Sequence, residues 1–286
     1  MALRFGTAGV PRSAKGTSTE DGIRRIRELG LDHLEMEWVR QVPKSAENAR
    51  NIRAVAEELN VTLTAHGPYY INLNALEPEK MAASIKRVLD TARMGYLCGA
   101  KSVTFHAAFL MKMPPDRVYG IVRDKLKDIM DTLAKENVAI EVRPELAGKL
   151  SSWGSLEEII HISKDIKGIK PTIDFAHQHA RTNGGFNTYD EFCKMLEALK
   201  KGLGAKILDN MHIHVSGIKY SPKGELEHLN LKNSDFNWEE FIQALLDFDV
   251  GGYLVCESPN LEEDALMLQR AYKKKKKWAD DHYNSK

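Results

Sequence analysis

Residues 61–74 read VTLTAHGPYYINLN, and residues 101–106 read KSVTFH. In both, a short β-branched and apolar run ends in a histidine. A turn and then a helical pattern follow. Four more runs share this plan: VAIEV at 138–142, KPTID at 170–174, MHIH at 211–214 and GYLVCE at 252–257. Metal-binding residue types therefore stand at six successive strand ends: His66, His106, Glu141, Asp174, His212 and Glu257. A (β/α)8 barrel builds its active site where strands run into the loops that precede helices. The six groups predict one site at one mouth of one barrel.

The rest of the chain supports this reading. Strand-like runs lie near 3–6, 32–37, 61–66, 101–106, 137–142, 170–174, 208–214 and 252–257. Helical patterns lie at 19–29, 45–59, 77–98, 115–135, 155–164, 188–200, 238–247 and 261–274. The first helix has Ser18, Thr19, Glu20 and Asp21 at its front and Gly30 at its back, which are helix start and stop signals. Eight strand–helix units with no linker between them predict an α/β protein built as a single (β/α)8 TIM barrel. The 286 residues suit one such domain. Its expected extent is 1–275, with 276–286 as a basic and polar C-terminal tail.

Composition excludes more than it names. The net charge is +1, so average charge selects no partner. Charge is concentrated in one place, the five lysines 273–277, read either as a solvated helix end or as a phosphate-attracting arm. Cys98, Cys193 and Cys256 are widely spaced and form no C-x-x-C pair. That argues against a disulfide framework and fits a reducing cytosol. No signal peptide and no apolar run of about 18 residues is present, so an intracellular chain without a membrane partner is expected. No GxxxxGK[ST] loop occurs, and Asp174 and His177 have no nearby serine for a triad.

The donor types constrain the chemistry. A carboxylate such as Glu141 needs a cation or strong donors if it is buried, and Arg143 two residues on is the alternative partner. Asp174 brings His177 and His179 behind it, His214 follows His212, and His228 lies in the next loop. So many donors exceed one four-coordinate zinc centre. Neighbouring metals lower the pKa of bound water and clamp phosphate oxygens. Mixed imidazole and carboxylate donors suit zinc, with manganese or iron also possible.

At these residues the chain resembles the endonuclease IV family of apurinic/apyrimidinic (AP) endonucleases. The resemblance runs from GTAG at 6–9 to CESPNLEEDAL at 256–266. It is similar to the archaeal-type branch through GKLSSWGSLEE at 148–158 and HIHVSGIKYSPKGELEHLNL at 212–231. The resemblance implies a xylose isomerase-like barrel that cleaves the phosphodiester 5′ to an abasic site with a trinuclear zinc cluster. It implies that His66, His106 and Glu141 hold a first zinc. Glu141, the catalytic carboxylate, would bridge to a second held by Asp174, His212 and Glu257, while His177 and His228 would hold a third. The family places an aspartate two residues before His228, where this chain has Leu226 flanked by Glu225 and Glu227. Glu225 is the expected substitute, and two or three ions per chain are expected.

Tyr69, Tyr70 and Arg40 match residues that the family inserts into the abasic gap; otherwise the tyrosines pack on the barrel rim and Arg40 is a surface charge. The partner implied is double-stranded DNA bearing abasic lesions, met by a cytoplasmic, nucleoid-associated monomer. Two other readings stay open. One is a divalent-metal sugar (phosphate) isomerase or epimerase of the xylose isomerase-like group, which needs fewer metals and histidines. The other is a metal-bound nucleic-acid-binding barrel without turnover.

Overall fold

In the computed structural model, which describes residues 2–283, the eight expected strands form one parallel sheet. They are β1 (Leu3–Ala8), β2 (His33–Glu37), β3 (Thr62–His66), β4 (Ser102–Phe105), β5 (Glu141–Pro144), β6 (Thr172–Asp174), β7 (Met211–Val215) and β8 (Gly252–Cys256). Each pairs with its neighbours in chain order, and β8 returns to β1 through Leu3↔Gly252 to Thr7↔Cys256. Between β5 and β6 the ladder thins to the bridges Val142↔Ile169 and Glu145↔Thr172. Pro144 accounts for this gap. Glu145 N–H bonds Phe105 O of β4, while Leu146 N–H bonds Thr172 O of β6. Alternate residues address alternate sides, so Pro144 lacks its N–H on the β6 side.

Nine helices among the described residues surround the strands. They are α1 (Thr19–Glu28), α2 (Ala46–Glu58), α3 (Pro78–Cys98), α4 (Pro115–Lys135), α5 (Leu156–Asp165), α6 (Phe175–Arg181), α7 (Tyr189–Leu203), α8 (Trp238–Asp247) and α9 (Glu262–Tyr283). The start signal of α1 is real: Ser18 and Asp21 form a reciprocal capping box. The two-turn α6 and the hairpin Gly217–Ser221/Gly224–Leu229 interrupt the simple alternation. Helix α9 continues from 262 past residue 275 to 283, so the lysines 273–277 are helical. Residues 284–286 of the expected tail lie outside the described residues.

Strand side chains alternate in facing. Leu34, Met36, Leu63, Val103, Phe105, Val142, Ile173, Ile213 and Leu254 are buried in the apolar core that packs strands on helices. The opposite parity fills the barrel axis and is polar. Thr64, Glu35, His33, Ser102, Thr104, Arg143, Thr172, His212 and His214 are all 0% exposed. Barrels of this type usually fill the axis with branched apolar side chains. A polar axis must be internally satisfied, because each unpaired buried polar group costs about 1–3 kcal/mol.

Close approach at the axis is strict at Gly6. A Cβ there would lie 2.0 Å from His33 O and 2.4 Å from His33 C, both backbone atoms of the neighbouring strand. Gly6→Ala is expected to lower stability by about 1–3 kcal/mol or more, read as a lower urea midpoint. A midpoint equal to that of the wild type would show that β1 and β2 are not held at this spacing.

Candidate metal centre

Glu145, the residue just beyond β5, is the hub of the barrel mouth. Its carboxylate is 1% exposed and lies among four imidazoles. Glu145 Oε2 is 3.1 Å from His66 Nε2 and 3.6 Å from His106 Nε2. Its other oxygen, Oε1, is 3.1 Å from His214 Nδ1 and 3.3 Å from His177 Nδ1. The two oxygens thus serve two different sets of donors.

Three linked sets follow, each with its donor atoms within 4.8 Å of one another: His66, His106 and Glu145; Glu145, Asp174, His214 and Glu257; His177, Glu225 and His228. The first two share Glu145. In the second, Glu257 Oε1 is 3.5 Å from His214 Nδ1. Asp174 ends β6 and caps α6, its Oδ1 accepting the His177 N–H at 2.7 Å. That cap places His177 one turn into the helix, facing the same cavity.

The protonation pattern calls for added positive charge. His66 Nδ1 is 2.8 Å from Gly67 O, and a carbonyl can only accept, so Nδ1 carries the ring proton. A neutral His66 then turns the lone pair of Nε2 towards Glu145 Oε2. Only a second proton or a cation between them makes that contact favourable. Burial pulls the His66 pKa down, but the hydrogen bond to Glu145 and the charges of Glu37 and Glu145 carry it up to about 10. His106 goes the other way, to about 4, because burial and the neighbouring His177 and His66 outweigh Glu145. Burial, together with Glu145 and Asp174, raises the Glu257 carboxyl well above its ordinary value against the pull of His214. Asp174 Oδ2 and Glu257 Oε2 are buried with no hydrogen-bond partner. Such lone-pair-rich, partnerless convergence fits divalent cations bound by imidazole and carboxylate. When bound, they supply Lewis acidity and lower the pKa of water.

The third set depends on a β-bulge. In the hairpin, Lys219 pairs with Glu227 but Tyr220 pairs with Glu225, leaving Leu226 as the extra residue. In an unbroken strand, residues 225 and 228 would face opposite ways; the bulge brings them to one face. Glu225 Oε2 is 3.5 Å from His177 Nε2, and Glu225 Oε1 is 3.9 Å from His228 Nε2. Leu226 is 54% exposed. Gly148 makes room for the hairpin: a Cβ there would sit 2.8 Å from Glu225 Oε2 and 2.9 Å from His177 Cδ2.

Of the sequence-predicted residues, His66, His106, Asp174, His177, His228, Glu257 and Glu225 converge on this mouth. Two are corrected. Glu141 begins β5 and sits at the opposite end of the barrel, where Arg143 Nε, Asn210 Nδ2 and Lys170 Nζ donate to it. The parity was right, but Glu145 is four residues further on, about 13 Å along a strand. Glu145, not Glu141, lies among the donors at the mouth and belongs to two of the sets there. His212 lies one layer beneath the mouth, with Nδ1 3.1 Å from Ser102 Oγ and Nε2 2.8 Å from Glu35 Oε2; His214 occupies the place expected of it. Glu35 and Glu37 were missed altogether. Their signal was the inward parity they share with His33 in HLEME, acids on a strand otherwise fit for burial.

The mouth opens into a cavity of about 390 Å3 lined by His66, Tyr69, His106, Lys149, His228 and Glu257 among others. Tyr69 is 57% and Tyr70 62% exposed on the loop after β3. Tyr70 lies under the Arg87 guanidinium, 5.8 Å from the ring centre. Arg40 lines a neighbouring groove of about 520 Å3 with Lys44, Lys86, Arg87 and Arg93, and Pro68 walls it beside Tyr69.

The architecture and this mouth define an α/β barrel with a histidine–carboxylate centre suited to divalent metal. Residues 23–281 match the xylose isomerase-like TIM barrel family, and the chain belongs to that family. An uncharacterised protein of Methanocaldococcus jannaschii is 38% identical over 275 residues, covering 95% of this chain and 97% of that one. Among solved structures, a D-tagatose 3-epimerase-like protein aligns with a TM-score of 0.73 at 17% identity, over 97% of this chain and 98% of its own. Endonuclease IV from Thermus thermophilus aligns with a TM-score of 0.69 at 18% identity, over 94% of this chain and 98% of its own. Both likenesses concern the fold.

No helix among the described residues is long and apolar enough to cross a membrane.

Two predictions follow from this geometry. Glu225→Gln should weaken one bound ion, whereas Leu226→Asp should leave ion retention unchanged, because residue 226 points away. Dialysis against a graded chelator with metal analysis measures this; tightening by Leu226→Asp would overturn the bulge assignment. The second concerns Glu141. Burial raises its carboxyl pKa, but Arg143 and Lys170 outweigh burial and hold it below the ordinary value. A depressed pKa contributes stability that is present above the unfolded value, about 4.3, and lost as pH falls through the folded one. Glu141→Gln should therefore flatten the acid limb of the stability–pH curve below about pH 4.3 and leave ion uptake intact. Loss of ions in that variant would return Glu141 to the metal centre.

Proposed function

We propose that this protein is a metal-dependent endonuclease of DNA repair that cleaves the phosphodiester 5′ to abasic sites, using two or three zinc ions. The observation that carries the reading is the splitting of Glu145: its two oxygens serve two separate donor sets, and a third set adjoins them through His177. A carboxylate held this way suits neighbouring ions sharing one ligand. Multinuclear sites suit phosphodiester hydrolysis, where attacking and leaving oxygens both need charge neutralised. Manganese or iron would satisfy the same donors.

The chain's own residues then have distinct tasks. Glu145 fixes the spacing of the first two sets. Asp174 holds His177 through its backbone as well as facing the mouth. Lys149 brings a cation to the cavity wall, where a phosphate would sit. Exposed Tyr69 and Tyr70 supply aromatic faces that could fill the space of a missing base and support kinked DNA. In the groove, Lys86 and Arg93 are paired with Asp90 and Glu136, and Arg40, Lys44 and Arg87 carry positive charge along a route suited to a phosphate backbone. The lysines 273–277 are poorly placed for this. Helix α9 begins at the mouth, and Lys273 is eleven residues, about 16 Å, down it. A cytoplasmic monomer acting on double-stranded DNA fits this reading.

The test uses the zinc-loaded chain on a duplex with one stable abasic analogue, and separately on ketose sugars. Cleavage on the 5′ side of the analogue is expected, with undamaged duplex left intact. Glu145→Gln should lower that rate by at least about 10²-fold, since it removes a preorganised charge at the reacting centre. Epimerisation of a ketose without cleavage of abasic DNA would replace the reading with the isomerase alternative. Binding of abasic DNA with neither reaction would leave a nucleic-acid-binding barrel.

A further inference from the structure

Beneath the metal centre lies a second buried group that the mouth does not explain. Glu35, on β2, is 0% exposed. Its Oε1 is 2.8 Å from His214 Nε2, and its Oε2 is 2.8 Å from His212 Nε2. Thr64 donates its hydroxyl to the same Oε2 at 2.6 Å. Ser102 Oγ meets the far side of the His212 ring, at Nδ1. Neither imidazole is aligned on its oxygen as a full hydrogen bond, yet Glu35 Oε1, His212 Nε2 and His214 Nε2 are buried and have no other partner. Strands β2, β3 and β7 meet at this one carboxylate, and β4 reaches it through Ser102 and the His212 ring.

Two uses of the group are conceivable, a deeper ion or a support for the ligand above it. The chemistry of one imidazole ring separates them. His214 turns Nδ1 to the mouth, towards Glu145 and Glu257. A neutral imidazole has a single lone pair. If Nδ1 ligates, Nε2 keeps its proton and can only donate, and the atom it faces is Glu35 Oε1. An ion between Glu35 and His214 Nε2 would require the ring to lose both protons. We infer that Glu35 is a positioning residue, which holds His214 in its Nε2–H form and aims Nδ1 at the metal centre. Carboxylates behind ligating histidines fix ring orientation and raise ligand basicity. His212 and Thr64 in turn hold the carboxylate of Glu35 and satisfy its second oxygen. This inference rests on the metal reading of the mouth and is independent of the substrate.

The full-length chain is stripped with chelator and titrated with Zn2+ against a competing chromophoric chelator. Glu35→Gln should bind the same number of ions as the wild type, with one of them weakened about 10- to 100-fold. The unfolding midpoint of the metal-free variant reports any general structural damage separately. In 15N NMR of the loaded wild type, His214 should show a protonated Nε2 and a ligating Nδ1. In Glu35→Gln that signature should be lost or mixed, which a purely structural role would not produce. Thr64→Val, which removes one donor to Glu35 and keeps side-chain volume, should loosen the same ion by a smaller factor and carries the test if Glu35→Gln does not fold. Wild-type affinity in the variants overturns the inference while leaving the metal centre standing. Loss of one whole ion, with the others unchanged, overturns it in favour of a deep ion ligated by Glu35. A wild-type chain that takes up no Zn2+ overturns the metal centre and this inference together.

Discussion

The burial of one carboxylate, Glu145, organises the mouth of this barrel. An ionised carboxylate out of water must be compensated by nearby positive charge or donors. Four imidazoles come to it from four different elements: the ends of β3 and β7, the segment after β4, and the first turn of α6. The positions of those elements are linked by that demand. Asp174 illustrates the economy of the arrangement. It terminates β6, caps α6 and so sets His177, and still leaves Oδ2 buried with no hydrogen bond, 3.3 Å from His177 Nδ1.

The polar axis continues below this layer. Glu35 stands between His214 and His212, and His212 meets Ser102. At the far end Arg143, fully buried, answers Glu141 and the carbonyls of Pro171 and Asn210. The same inward parity therefore serves two chemistries. At the bottom, carboxylate meets guanidinium and ammonium, and charge balances within the chain. At the top, carboxylates meet imidazoles, and charge is balanced by protons on those rings or by a bound cation. The lower pairs hold strands together; the upper ones are suited to binding. Such a division matches the general separation of a barrel into a stabilising face and a reactive face.

Local irregularities position the reactive face. Pro144 withholds one N–H where β5 and β6 would otherwise pair, and Glu145 follows directly from it. The bulge at Leu226 turns Glu225 to the face of His228. Gly148 leaves the space that Glu225 and His177 occupy. Of the three, the bulge re-aims a side chain at the centre, while Pro144 opens the ladder and Gly148 leaves room.

The sequence by itself determined the eight-fold alternation, the single barrel, the parity of the inward residues and most of the donors at the mouth. His66, His106, Asp174, His177, His228 and Glu257 were legible because apolar periodicity locates strands, and a metal-binding residue type at a strand end stands out from it. Tertiary structure alone decided how far each strand extends. The run 137–142 predicts a strand that closes at Val142, yet β5 spans Glu141–Pro144, and the hub is Glu145 rather than Glu141. Period-two alternation specifies which face a residue takes but not its height along the axis, since every second residue repeats the same facing. For the same reason His212 and His214 could not be told apart in advance. Height is set by the register with neighbouring strands, and Glu35, which accepts from Thr64 on β3 and faces His212 and His214 on β7, belongs to the site only through that register.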